Sequence, residues 1–319
     1  MGVFAEISGT VCCLLLLAYM CGSSFASKCL FLSYQVAPNA YTKGINDLYF
    51  VILWIVIFVF LRAALMRYVF SPVAVAYHVS STGKRQRLEE QGFMFTYYSI
   101  FWVYGMVLMY NSPYWFNTKY YWIDYPHIPI TGAMKSYYLM QLGFYFQQIY
   151  VLHVEKRRKD HFPMLLHHII TIALIGSSYC GNFTRVGNAV LCTMDVADIL
   201  LSLAKILKYL NFTTLCDYLF AAFAISWPIT RQFFLSAIVW SIAAELPLYI
   251  EMKWDPANGK YMNSLMHKVY LTLFAALNII MVYWFIMILK VLWKVIQGRK
   301  PEDTRSDDEE EGQAPRKQK

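Results

Sequence analysis

The sequence predicts an all-α integral membrane protein of about eight transmembrane helices, and three observations lead there. The 319 residues are 58% hydrophobic and 15% charged, with a mean hydropathy of +0.39, whereas soluble domains are about 45–50% apolar and ~25% charged. Aromatic residues make up 18%, including 25 Tyr and 9 Trp, which suits rings placed at the headgroup level of many spans. The basic residues fall in short segments between apolar runs. Despite an isoelectric point near 9.0, that is the pattern of cytoplasmic loops, and no nucleic-acid partner is expected.

A span needs about 20 mostly apolar residues. The runs that qualify are 9–25, 47–69, 92–111, 133–154, 162–181, 187–208, 214–241 and 264–296. The first is either a retained span or a cleaved signal. Small residues follow it (Cys21-Gly22-Ser23-Ser24), but its start lacks Lys and Arg and carries Glu6, which favours a span. Lys84, Arg85 and Arg87 follow the second run, and Lys156-Arg157-Arg158-Lys159 the fourth. Lys205 and Lys208 close the sixth, and Lys290, Lys294, Arg299 and Lys300 end the eighth. If every run crosses once, all four groups share one side, predicted to be the cytoplasm. The seventh run contains Trp227-Pro228 and then Arg231. Proline predicts a kink, and an arginine beside it a cavity wall, or otherwise a snorkelling side chain on an ordinary kinked helix.

The cysteines lie mostly within apolar runs, as small buried hydrophobes; Cys21, Cys29 and Cys180 could face a lumen. Two sequons, Asn182-Phe183-Thr184 and Asn211-Phe212-Thr213, are expected to stay unglycosylated, the first because it hugs the membrane and the second because it falls on the cytoplasmic side. Beyond residue 299 the composition turns polar, with Asp307-Asp308-Glu309-Glu310-Glu311 in a row, which predicts a disordered acidic tail. Ser306 precedes that run as a casein-kinase-type site would, and Arg316-Lys317-Gln318-Lys319 is similar to a dilysine-type endoplasmic reticulum retrieval signal. The chain therefore divides into residues 1–84 with two spans and a short loop, residues 85–299 with six spans, and residues 300–319 as a tail.

The chemistry lies in two neighbouring runs. His167-His168 sit inside MLLHHIITIALI, and Asp195 and Asp198 inside AVLCTMDVADILL. A charge near the bilayer centre costs at least ~2.5–3.5 kcal/mol, so such groups need partners, water or a reaction. On a helix, Asp195 and Asp198 share a face that Ser202 and Lys205 continue, while adjacent histidines point about 100° apart. His167 lies ~8 Å and Asp198 ~15 Å from the cytoplasmic ends of their spans, so a contact is feasible within a site opening beneath the Lys156–Lys159 loop. An imidazole can act as a general base or attack an acyl donor. Basic residues at the mouth suit a phosphate-bearing donor, and an apolar interior suits alkyl chains. Acyl transfer from a polar carrier to a lipid fits all of these. A metal site built on the same residues, as in lipid desaturases, would need histidine-rich boxes, and the chain has 7 His; no metal is expected. A purely structural polar cluster is the other reading.

Residues 157–211 resemble the signature region of the ceramide synthases, a family of TLC-domain proteins of the endoplasmic reticulum. The resemblance rests on Arg158-Lys159-Asp160, His167-His168, Thr171, Leu174-Ile175 with Ser177-Ser178-Tyr179, and Thr184-Arg185-Val186-Gly187. It continues through Met194-Asp195, Asp198, Ser202, Lys205 and Tyr209-Leu210-Asn211. It implies a TLC domain from about residue 85 to 299, six helices forming a barrel with an intramembrane cavity. The loop at 71–91 is too short for a homeobox-like insert, so the chain is similar to the fungal, plant or protist type. The implied activity is transfer of a fatty acyl chain from acyl-CoA, as substrate, to the amine of a sphingoid base, with no cofactor. His167 and His168 map onto the catalytic histidines, and Asp195 and Asp198 onto the acidic pair. His167 is assigned the base or nucleophile, with His168 supporting and Asp198 orienting the imidazole, although the two histidines could exchange roles. Arg231, Lys205, Ser202 and Tyr179 are expected to bind substrate. The resemblance also implies a multi-pass endoplasmic reticulum protein with a cytoplasmic C-terminus, in contact with membrane lipid, and a small accessory subunit or a homo- or heterodimer as partner. A non-enzymatic TLC-domain protein, translocon-associated or lipid-regulating, is the alternative. A transporter is a third reading, weakened by the absence of an internal repeat.

Overall fold

A computed structural model describes residues 2–155 and 159–297, and a helix occupies every one of the apolar runs. Helix α1 (Gly2–Met20) turns into the short α2 (Ser24–Leu30), whose first turn is capped by the Ser23 hydroxyl. Strands β1 (Gln35–Ala37) and β2 (Ala40–Tyr41) lead to α3 (Asp47–Leu65), which passes through a π-helical turn into α4 (Ser71–Ala76). Next come α5 (Thr82–Tyr110), β3 (Ile130–Thr131), α6 (Gly132–Val154), α7 (His161–Cys180) and α8 (Thr184–Tyr209). The seventh run is one continuous helical stretch: α9 (Thr213–Trp227), a π segment at Pro228–Phe234, α10 (Leu235–Trp240), a second π segment at Ser241–Glu245, and α11 (Leu246–Tyr249). A hairpin of β4 (Trp254–Asp255) and β5 (Lys260–Tyr261) precedes α12 (Ser264–Ile296). The Lys156–Arg158 stretch, the tail with Ser306 and the terminal basic residues lie outside the described residues.

Among the described residues, five stretches are long and apolar enough to cross a membrane: Asp47–Ala76, Thr82–Tyr110, His161–Cys180, Thr213–Tyr249 and Ser264–Val295. The apolar part of α1, Glu6–Met20, is shorter. Helices α6 and α8 have the length, at 23 and 26 residues, but carry polar side chains through their middles. The count of eight read from the sequence thus resolves into five strongly apolar crossings, one short apolar helix, and two long helices with polar groups turned inward. Most of those groups are buried and partnered, as a medium without water requires, with the Gln147 amide nitrogen a buried exception. Tyr97 donates to Gln141 Oε1 at 2.5 Å, and Tyr114 to Asn188 Oδ1 at 3.0 Å. The Asn188 amide in turn donates to the Gly105 carbonyl at 3.2 Å.

Six of the elements close a ring. Helix α5 packs on α6, α6 on α7, α7 on α12, α12 on the α9–α11 stretch, that stretch on α8, and α8 back on α5. This is the helical barrel the resemblance implies, with α3 outside it against α6 and α1 against α3. Close approach depends on small residues. A Cβ on Gly105 of α5 would lie 2.6 Å from the Tyr137 hydroxyl and 2.7 Å from Cys192 Sγ, so no larger residue fits between α5, α6 and α8 there. Aromatic rings fill the α3–α5–α6 contact, where Phe58 meets Tyr97, Phe101 and Phe144 edge-on.

At the end away from the basic loops, a buried ion pair binds the N-terminal region to the ring. Lys135 of α6 is 2.7 Å from Asp47 of α3, and its ammonium also donates to the Ser33 and Thr42 carbonyls at 2.8 and 2.7 Å. Asp47 Oδ2 accepts from the Tyr179 hydroxyl at 2.8 Å and from the Gly44 amide at 3.0 Å. Nearby, Lys43 donates to Asn182 Oδ1 at 2.6 Å while the Asn182 amide donates to the Gly259 carbonyl at 2.9 Å, which buries the first sequon's asparagine. Burial pushes the Lys43 amine down to about 7, against the opposing pull of Cys180 and Asp47. At the other end, Arg62 of α3 pairs with Glu155 just after α6. Breaking a buried pair by removing one partner costs about 3–5 kcal/mol, because the other charge is left unpaired. Lys135→Met should therefore lower thermal stability in detergent sharply, and Lys135→Met combined with Asp47→Leu should recover at least half of the loss. A Lys135→Met chain that unfolds at the wild-type temperature would refute this account of the docking.

Candidate active site

Helix α7 carries the histidine pair into the ring. His168 is 7% exposed and packs toward Tyr145, with ring centroids 6.0 Å apart. His167 turns about 100° away, as adjacent helical residues must. Its ring meets Trp284 of α12 edge-on at 5.4 Å, and the two imidazoles are 5.5 Å apart. Among the described residues, Nδ1 of both histidines and Nε1 of Trp284 are buried without a hydrogen-bond partner. An orphaned buried polar atom costs about 1–3 kcal/mol, so three around one point mark a place organised for something other than stability.

The aspartates lie one turn apart on α8, as their spacing predicts, but they have different partners. Asp195 is fully enclosed and sits at the end of a polar chain, 3.5 Å from Gln141 Nε2, with Tyr97 donating to the same glutamine. Asp198 is bound by Arg231: the guanidinium donates to Asp198 Oδ2 at 2.6 Å and to the Met194 carbonyl at 2.7 Å. Arg231 also stacks over the Trp227 ring at 4.2 Å. The π segment at Pro228–Phe234 is what places this arginine, since it widens the helix without ending it where the proline predicted a kink. The sequence leads one to expect Asp198 to orient an imidazole and Arg231 to bind substrate. In the structure the two hold each other, and Nδ1 of His167 and of His168 has no hydrogen-bond partner among the described residues.

Two cavities meet at this ion pair. One, of about 1090 Å³, opens toward the end with the basic loops and is lined by both histidines, Ser202, Lys205, Gln148 and Trp284. The other, of about 790 Å³, is almost wholly apolar and runs toward the opposite end between α7, α8 and α12, past Thr171, Leu174, Val190 and Phe274. His167, Asp198 and Arg231 line both. His168 lines the polar cavity but not the apolar one, and Asp195 lines neither. Tyr179 is not brought to the site. Twelve residues further along α7, about 18 Å away, it donates to Asp47 as part of the N-terminal docking. Among the described residues, no group of three His, Cys, Asp or Glu side chains is arranged to hold a metal ion.

Several residues of the site carry no sequence signal of their own. Trp284 and Tyr145 read as ordinary members of apolar runs and reach the histidines only through the ring closure. Gln141, Gln147 and Gln148 could have been found, because three amides within one apolar run are as costly, and as informative, as the charges on its neighbours.

Comparison with known proteins agrees with this architecture. The TLC domain family model matches residues 87–290. Sphingosine N-acyltransferase lag1 of Schizosaccharomyces pombe is 41% identical over 288 residues, covering 90% of this chain and 74% of that protein. Ceramide synthase FUM18 of Gibberella moniliformis is 35% identical over 319 residues (91% and 75%), and ceramide synthase LAG1 of Saccharomyces cerevisiae 36% over 287 residues (89% and 70%). The chain belongs to the TLC-domain family, within its group of ceramide synthases.

Proposed function

We propose that the chain is an acyl-CoA-dependent sphingosine N-acyltransferase, forming a (dihydro)ceramide from a fatty acyl-CoA and a sphingoid base. The observation that carries this reading is the position of His167, at the junction of a polar cavity and an apolar one. A substrate with a polar carrier and a long alkyl tail fits that pair of spaces with its reactive carbonyl beside the imidazole. The polar cavity suits the carrier because Lys205 and the Arg62–Glu155 pair line it. The names of the relatives support the same substrates.

The sphingoid base arrives as an ammonium, which must lose a proton before its nitrogen can attack. Asp198 is the group to meet it: Oδ2 is taken by Arg231, yet the side chain is still 27% exposed, to the cavities. One ammonium proton is lost to water. With His167 as general base, the imidazole accepts a second from nitrogen as the neutral amine bonds to the thioester carbon, the C–S bond breaks, and the imidazolium gives that proton to the leaving thiolate. With His167 as nucleophile, its nitrogen displaces the thiolate first, the neutral amine then displaces imidazole from the acyl group, and the proton shed by nitrogen passes to the thiolate. His168, buried against Tyr145, supports the first ring in either route. Neither requires a cofactor. The reading also assigns the chain to the endoplasmic reticulum membrane, with the basic loops and C-terminus in the cytoplasm, and an accessory subunit or a second synthase subunit as partner.

Microsomes containing the chain, supplied with sphingoid base and acyl-CoAs of graded length, should form ceramide. His167→Ala and Asp198→Ala should each lower the rate about 10²-fold or more while the protein stays in the membrane. Undiminished ceramide from both variants would sink the mechanism. Failure of the intact chain at every length, with any required partner present, would favour a non-enzymatic TLC-domain protein. Incubation with acyl-CoA alone, followed by mass spectrometry, separates the two routes: an acyl group on His167 identifies the nucleophile, and full activity without an adduct identifies the base.

A further inference from the structure

The apolar cavity has a defined far end. Trp122, Phe183, Leu246 and Met262 close it, each from a different connecting segment or helix end on the side away from the basic loops. Trp122 is the largest of them, is 1% exposed, and differs from the rest in being fixed by a polar relay. Its indole N–H donates to the Ser241 hydroxyl at 2.8 Å, and Ser241 donates to Glu245 Oε2 at 2.7 Å. Both relay residues belong to the second π segment of the α9–α11 stretch, so the loop between α5 and α6 is pinned to that stretch through this ring. Phe183 packs against the indole with centroids 6.3 Å apart and is itself stacked flat on Tyr125 at 4.6 Å. The apolar rings around Trp122 can yield to a longer occupant by changing rotamer. An indole held by a buried hydrogen bond yields only by leaving its own N–H unsatisfied.

From His167 to the end of α7 is thirteen residues, or ~20 Å of helix, which matches an extended alkyl chain of about 16 carbons at ~1.25 Å each. We infer that Trp122 is the floor of the alkyl-chain tube and sets the upper chain length the enzyme accepts, with Ser241 as the positioning residue that keeps the indole across the tube. This rests on the acyltransferase reading above. Both substrates of that reading have long alkyl chains, so the experiment must separate them.

Wild-type, Trp122→Ala, Trp122→Leu, Ser241→Ala and Val190→Phe chains are compared in microsomes in two competition assays. One offers equimolar acyl-CoAs from C12 to C26 with a single sphingoid base. The other offers bases of graded length with one acyl-CoA. Opening the floor should raise the ratio of longer to C16 products about ten-fold for Trp122→Ala, with Trp122→Leu in between. Ser241→Ala should broaden the profile upward without changing its maximum. Val190→Phe, which narrows the tube about 12 Å from Asp198, should shift the profile to shorter chains. A shift in the first assay identifies the occupant as the acyl chain, and in the second as the sphingoid chain. If Trp122→Ala fails to accumulate, the Trp122→Leu and Val190→Phe profiles decide the matter. Active variants with wild-type profiles in both assays overturn the inference and leave the acyltransferase reading standing. No ceramide from the wild-type chain at any length overturns both.

Discussion

The ion pair between Arg231 and Asp198 is the interaction around which this molecule is arranged. Two opposite charges inside an apolar bundle are tolerated only when their geometry is good and their remaining hydrogen bonds are made. Here the guanidinium also reaches the Met194 carbonyl and lies over Trp227. The pair fastens the α9–α11 stretch to α8, which closes one side of the six-helix ring. It also forms the boundary between the polar and apolar cavities. Architecture and chemistry therefore share a single contact. The charges that would be hardest to bury elsewhere serve as the seam between two kinds of space.

Much of the fold was legible because a membrane leaves little choice. Apolar runs of about 20 residues must be helices, and two of the long ones begin where the sequence offers a cap: Thr131 accepts from the Met134 amide, and Asn263 from the Met266 amide. Helices α6 and α8 show where hydropathy stops being informative. Gln141, Lys135, Asn188 and Asp198 are stabilised by partners on other helices, so span character there belongs to the assembled ring. The π segments were illegible for a related reason. Trp227-Pro228 predicts an interruption, but whether a helix bends or takes in an extra residue depends on what Arg231 must reach.

The site was partly legible as well. His167-His168 and Asp195/Asp198 stand out because ionisable groups in apolar runs are expensive, and the structure gathers His167, His168 and Asp198 around one cavity. Pairings were not legible. Asp198 is four residues from Met194 and thirty-three from Arg231, yet it is Arg231 that binds it, through a helix turn that local periodicity does not describe. Tyr179 shows the converse. It belongs to the same run as the histidines, but a straight helix carries it to the opposite end, where it serves Asp47.

The π segment at Pro228–Phe234 has a further consequence. A π turn is an α-helix that has accommodated one additional residue, and each residue rotates the chain by about 100°. Losing a single residue there would let the helix relax to ordinary winding and swing whatever follows out of phase with what precedes it. Arg231 would then be directed away from α8 with every side chain still present. Along this stretch, the number of residues is as much a functional variable as their identity. Related chains that differ by one insertion or deletion between Trp227 and Leu246 should accordingly be treated as different active sites, even when their histidines and aspartates coincide.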